Sequence, residues 1–282
     1  MQLTDWIAQQ GGIVHREDIL RAGYSVAALR AEMRSDGVTV IRRAWLALSS
    51  APPDLLTAAR AGGRLACVSF ARRQKWWLPV GIDERVHLRL APKAGPVRLG
   101  KKWNGVLHWT KSIAPVASRS LCESPEDALA HIATCLPRDQ ALVLWESAIR
   151  VEGLSAEGLR QIRWPSRAAS ECAQSVTGLS DSGLETLLAM SLRSWGLEVR
   201  QQILIAGHRV DLLVGDRLVV QVDGYAHHSS SAQRTSDIAH DAELRLRGYT
   251  VLRFSYAQVV HDRRLVERTI RRAVAAGLHL AA

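Results

Sequence analysis

The chain has 282 residues, 47% of them apolar, enough for two or three domains with real cores, and a formal net charge of +10. Cys67, Cys122, Cys135 and Cys172 lie far apart without a Cys-x-x-Cys pair, and no basic-then-apolar leader or long apolar run occurs. A disulfide-stapled secreted fold and a helical membrane protein are therefore not expected; a soluble, reduced, cytoplasmic protein is. The positive charge is one-sided: residues 1–120 hold 19 Lys and Arg against 8 Asp and Glu, and the remainder 18 against 19. Such a basic half fits sequence-independent attraction to phosphate.

Residues 1–50 read as three short helices and a hairpin. Leu3 to Gln9 is stopped by Gly11-Gly12, Arg16 to Ala22 ends at Gly23, and Ser25 is an N-cap for a helix through Arg34. Two strands follow around Arg42 and Arg43, so the pattern is a winged helix-turn-helix. In such a module Ser25, Ala28, Arg30 and Arg34 would face the major groove and Arg42 and Arg43 would meet phosphate.

Residues 51–164 follow the Pro52-Pro53 break and read as an α+β segment. Leu55–Ala61 is helical; Arg64–Phe70, Arg85–Leu90 and Gly105–Thr110 read as strands; Ser124 opens a helix, and Asp139–Val151 and Ser155–Arg163 continue helically. Arg72 and Arg73, with Lys75, Lys93, Arg98, Lys101 and Lys102, would extend a DNA-facing surface, whereas Trp76, Trp77 and Trp103 read as core. No catalytic constellation is legible here.

Residues 165–282 carry the chemistry. From residue 182 the pattern predicts helix 182–194, strands 198–205, 209–214 and 218–223, helix 232–247, strand 250–254 and helix 257–275. If Gly215-Asp216-Arg217 form a three-residue loop, residue 214 faces 218. Val210, Leu212, Val214, Leu218, Val220 and Val222 then share one apolar face, and Asp211 stands across from Gln221 with Asp223 one pleat away. A two-residue turn would set Asp211 among apolar side chains, where an unpaired carboxylate is costly.

The αβββαβα order, with Gly183-Leu-Glu185, Val210-Asp211-Leu, Gln221-Val-Asp223-Gly-Tyr-Ala-His227-His228, His240-Asp241 and Gly248-Tyr-Thr-Val-Leu-Arg-Phe254, resembles the Vsr-like endonuclease domains of the PD-(D/E)xK superfamily. The N-terminal segments resemble AbiEi-type antitoxins. The resemblance implies a multi-domain α/β protein: a DNA-binding, Mg²⁺- or Mn²⁺-dependent endonuclease. Asp211, Asp223 and Gln221 would bind the metal, Glu185 would reach it from the first helix, and His228 would transfer a proton. His227 stands where relatives carry an aromatic residue. Gln221 replaces the usual glutamate and removes one negative charge, and His240 replaces the usual arginine. The alternative it implies is an antitoxin-like regulator with an inactive nuclease-like domain and a toxin protein as partner.

Overall fold

The computed structural model describes residues 1–34, 37–95, 97, 99–100, 102–117, 119–179, 183–223 and 231–281. The chain divides into two compact units, Met1–Gln74 with Ile82–Cys135, and Lys75–Gly81 with Leu136–Ala282.

The first unit opens with α1 (Leu3–Gln9), β1 (Ile13–His15), α2 (Arg16–Arg21), α3 (Val26–Glu32), β2 (Val38–Ile41) and β3 (Trp45–Leu48). Ser25 caps α3, its Oγ accepting from Ala28 N–H at 3.1 Å. The strands form a sheet in the order β1-β3-β2, over which Leu3, Ile7, Ile19 and Leu29 close a core with Val14, Val38 and Leu46. Strand β1 was not expected; three residues are too few to carry an alternating signal.

The same unit continues with α4 (Pro53–Ala61), β4 (Arg64–Leu65), α5 (Cys67–Arg73), β5 (His87–Leu90), β6 (Val106–Trp109) and α6 (Pro125–Cys135). Its second sheet runs β4-β5-β6, with β4 antiparallel and β6 parallel to β5. The strand expected over Arg64–Phe70 is two residues long and gives way to a helix. Cys67 turns the backbone at φ 52°, and residues 67–71 are all buried, so α5 has no polar stripe to betray its period.

The second unit contains α7 (Arg138–Glu152), α8 (Ala156–Gln161), α9 (Arg167–Ser175), α10 (Gly183–Ser194), β7 (Val199–Ile205), β8 (His208–Val214), β9 (Leu218–Asp223), α11 (Ser231–Leu246), β10 (Thr250–Ser255), α12 (Tyr256–His261) and α13 (Arg263–Ala275). The sequence reads α7 and α8 as part of the middle segment, but contacts group them with residues 165–282. Residues 75–81 join this unit too: Trp76 Nε1 donates to Glu152 at 2.8 Å and Trp77 N–H to Ser147 at 2.7 Å. Helix α9, missed in the sequence because it is built mainly from small and polar residues, is capped by Ser166. The helix expected over 257–275 is two, because Asp262 leaves helical geometry (φ −131°) and caps α13 through Leu265 N–H.

The sheet order is β10-β9-β8-β7, with β10 parallel to β9 and the rest antiparallel. Leu212, Leu213 and Val214 pair with Val220, Val219 and Leu218, the register a three-residue loop requires. Gly215 takes φ 59°, where a β-carbon is costly, and both Asp216 and Arg217 N–H donate to the His279 carbonyl. Both faces of the sheet are covered. Leu212, Val214, Leu218 and Val220 pack with residues of α10, α12 and α13, while Val210, Leu213 and Val219 pack with Leu244 of α11. Val210 thus leaves the face shared by Leu212 and Val214, contrary to strict alternation: the strand's side-chain pattern slips at Asp211.

Gly183 starts α10 against the Trp77 ring, which an added β-carbon would overlap, with Val143 Cγ1 2.8 Å away. Gly183→Ala is expected to destabilise the protein by about 1–3 kcal/mol through overpacking; an unshifted urea midpoint would refute that packing. No helix among the described residues is long and apolar enough to cross a membrane.

Candidate active site

Three elements place a pair of carboxylates together. Glu185 lies in the first turn of α10 and is only 4% exposed. Asp211 sits at the slip in β8, where its Oδ2 accepts from Val222 N–H at 2.7 Å. Between them stands Gln202 of β7, whose backbone takes φ 52°. Its amide Nε2 donates to Glu185 Oε2 at 2.8 Å and lies 3.4 Å from Asp211 Oδ1. A non-glycine residue in the left-handed region within a strand is strained, and such strain is retained where surrounding contacts enforce it.

Burial, and then the nearby Glu185 charge, push the Asp211 carboxyl up to about 7, against the Val222 N–H, the Gln202 amide and Arg253, which act the other way. Two desolvated carboxylates sharing one neutral amide fit a hard divalent cation, which oxygen donors of this kind hold and which would relieve their repulsion.

The other expected ligands stand differently. Asp223 is exposed, and its Oδ1 accepts from Arg253 at 2.7 Å. Arg253, beside Gln221 in the parallel register, also holds Asp241 at 2.9 Å. Burial works against the Arg253 charge, but the bonds to Asp241 and Asp223 outweigh it and raise its pKa. Gln221 is buried at 7% exposure. The structure therefore joins Asp211 to Glu185, and gives Asp223 to an Asp223–Arg253–Asp241 network. His227 and His228 lie outside the described residues. His240 is buried, with Nε2 3.1 Å from the Ile205 carbonyl and its ring beside His208.

Gln202, Arg253 and Asp241 were not among the expected site residues. The one signal for Gln202 is the adjacent pair Gln201-Gln202, which interrupts alternation inside an otherwise regular strand. Arg253 stands within the Leu-Arg-Phe run, but nothing in the sequence shows which carboxylates it meets.

In the first unit Ser25, Arg30 and Arg34 are exposed and Ala28 is half-buried. The other basic candidates have partners within the protein. Arg42 donates to the Arg60 carbonyl at 3.5 Å, Arg72 to that of Asp83 at 3.0 Å, and Arg73 lies 3.6 Å from Asp54. Arg43 is exposed at φ 58°, its carbonyl accepting from Arg16. Lys75, Lys93 and Lys102 are exposed, and Arg98 and Lys101 lie outside the described residues. Trp76 is 3% exposed, and Trp77 and Trp103 are partly buried against core clusters.

The site is thus a four-stranded mixed sheet covered on both faces, with a carboxylate pair at one strand's irregularity. Residues 185–274 match the family model REase_MTES_1575, a restriction-endonuclease-like family. Among solved structures the chain is similar to the Homing Endonuclease I-Bth0305I Catalytic Domain, at 22% identity over 33% of this chain and 94% of that one, TM-score 0.30. It is also similar to the RV2827C protein from Mycobacterium tuberculosis, at 19% identity over 66% of this chain and 80% of that one, TM-score 0.29. No curated protein matches.

Proposed function

We propose that the chain is a divalent-metal-dependent DNA endonuclease of the PD-(D/E)xK type. The observation that carries this reading is the Glu185–Gln202–Asp211 arrangement, with Glu185 buried and Gln202 and Asp211 half-buried, inside the restriction-endonuclease-like region. The element order α10-β7-β8-β9-α11-β10-α12-α13 supports it, since it is the αβββαβα layout when the last two helices count as one. Mg²⁺ or Mn²⁺ held by Asp211 and Glu185 would polarise the scissile phosphate and lower the pKa of an attacking water. Asp211 and Glu185 bind, Gln202 fixes both carboxylates, and the backbone N–H of Val222 aims Asp211. Proton transfer is assigned to His228. Arg253, held by two carboxylates, is a positioning residue for the β9–β10 edge. Supercoiled DNA incubated with Mg²⁺ or Mn²⁺ tests the reading: nicking or linearisation that disappears on chelation is the expected result, and intact plasmid at micromolar protein would overturn it.

DNA engagement is proposed for residues 1–50 as a winged helix, supported by the order α1-β1-α2-α3-β2-β3 and the exposed arginines of the α3 region. Arg30→Ala with Arg34→Ala is expected to weaken duplex binding about tenfold and to reduce the salt slope by about two. Fluorescence anisotropy across a salt series reads both; an unchanged slope would place the phosphate contacts elsewhere.

A second reading has its own support. Gln221 is neutral and Asp223 is engaged by Arg253, which leaves two carboxylates at the centre instead of four. This favours an antitoxin-like regulator that binds DNA through residues 1–50, with a toxin as partner. Retention of its own promoter without cleavage in either metal distinguishes it.

A further inference from the structure

The first unit holds a second constellation, unrelated to the carboxylate site. Cys67 begins α5, His87 lies on β5, His108 on the neighbouring parallel strand β6, and Cys135 ends α6. One donor atom from each lies within 4.8 Å of the other three, the sole such group of Cys, His, Asp or Glu among the described residues. We propose that Cys67, His87, His108 and Cys135 form a closed Cys₂His₂ site for a zinc-class divalent cation.

The spacing is that of ligands around one ion. With Zn–N near 2.05 Å and Zn–S near 2.3 Å, tetrahedral geometry sets N···N at about 3.3 Å and N···S at about 3.6 Å. The His87 Nδ1 to His108 Nε2 distance is 3.3 Å, and His108 Nε2 to Cys135 Sγ is 3.9 Å. Two imidazole nitrogens aimed at one another cannot both carry protons. A cation between them satisfies both lone pairs.

The surroundings orient the ligands. The other nitrogen of His87, Nε2, lies 3.4 Å from Asp83 Oδ2, the carboxylate–histidine arrangement that fixes a metal-binding tautomer. The His108 ring stacks on His131 with centroids 4.3 Å apart. His131 is held in turn by Thr110 at 2.9 Å and Glu123 at 3.1 Å. Glu123 accepts the Cys67 N–H at 2.8 Å, and so secures the positive-φ backbone that turns this thiol into the cluster.

Four protein ligands leave no position for substrate, so the ion is structural: it ties α5 and α6 to strands β5 and β6. Nitrogen and sulfur donors select zinc over magnesium, whereas the Asp211–Glu185 oxygens are donors that suit magnesium or manganese.

Metal analysis of the full chain, purified under reducing conditions and reconstituted with zinc(II), is expected to give one zinc per chain. Cobalt(II) in its place is expected to give the visible absorption of tetrahedral thiolate coordination. Cys135→Ser, at an exposed position, and His108→Ala are each expected to lower bound zinc at least tenfold, while Cys172→Ser keeps it. Less than a tenth of an equivalent of zinc with no cobalt spectrum in the wild-type chain would overturn the proposal, as would a Cys67–Cys135 disulfide persisting in reduced protein. The cobalt spectrum needs no variant to fold.

Discussion

Asp211→Asn is expected to abolish cleavage, by about 10³-fold or more, while making the metal-free protein more stable at pH 8. The loss follows from removing an anionic oxygen from the cation: several kcal/mol of transition-state stabilisation at 1.36 kcal/mol per factor of ten. The gain follows from linkage. In the unfolded chain this carboxyl titrates near 4; in the folded protein, burial and the Glu185 charge raise it to about 7. Between those values the folded chain keeps a proton that the unfolded chain has released. Stability is therefore fully present below about pH 4, falls as pH rises toward 7, and levels off above it, at up to roughly 1.4 kcal/mol per unit. Asparagine keeps an oxygen to accept from Val222 N–H but carries no charge, so it removes the slope. Urea unfolding at pH 5 and pH 8 with chelator present measures it. Equal losses of stability in variant and wild type between the two pH values would mean that Asp211 is not the group responsible.

The second large effect is on metal affinity. A cation must displace the Asp211 proton below about pH 7, so Mn²⁺ or Mg²⁺ binding is expected to strengthen nearly tenfold per unit from pH 5 to 7 and to flatten above. Across pH 5 to 8 the change is about 100-fold. Calorimetry in buffers of different ionisation enthalpy should detect release of about one proton per ion at pH 6 and far less at pH 8. Glu185→Gln removes the repulsion that raises the Asp211 carboxyl, so its inflection is expected at lower pH with weaker binding throughout. A pH-independent affinity in the wild-type protein would sink the assignment of Asp211 as a ligand.

Several elements were legible because single residues mark them. Ser25 and Ser155 cap their helices through side-chain oxygens, and Gly215 permits the loop that fixes the β8–β9 register. Asp211 was legible as a candidate from the strand register, and Glu185 from the family resemblance. What the sequence hid were arrangements made by backbone irregularity and by distant strands. Alternation assigns Val210 to the face of Leu212, and the slip at Asp211 moves it. The same logic brings Asp223 beside Asp211, but Arg253 arrives on a parallel strand and takes it. Helix α5 was hidden because its first five residues are all buried and show no polar stripe. The proposed Cys₂His₂ group was hidden for a related reason: its four residues come from four elements, and positions 67, 87, 108 and 135 lie too far apart to form a short motif.

The hydrogen bonds from Asp216 and Arg217 to the His279 carbonyl bear on when the protein becomes itself. The loop that sets which carboxylate faces which strand is fastened by a residue more than sixty positions later, and β9 is flanked by a strand that begins only at Thr250. In the order of synthesis, all of residues 1–135 therefore precede the segments that flank β9 and fasten the β8–β9 loop.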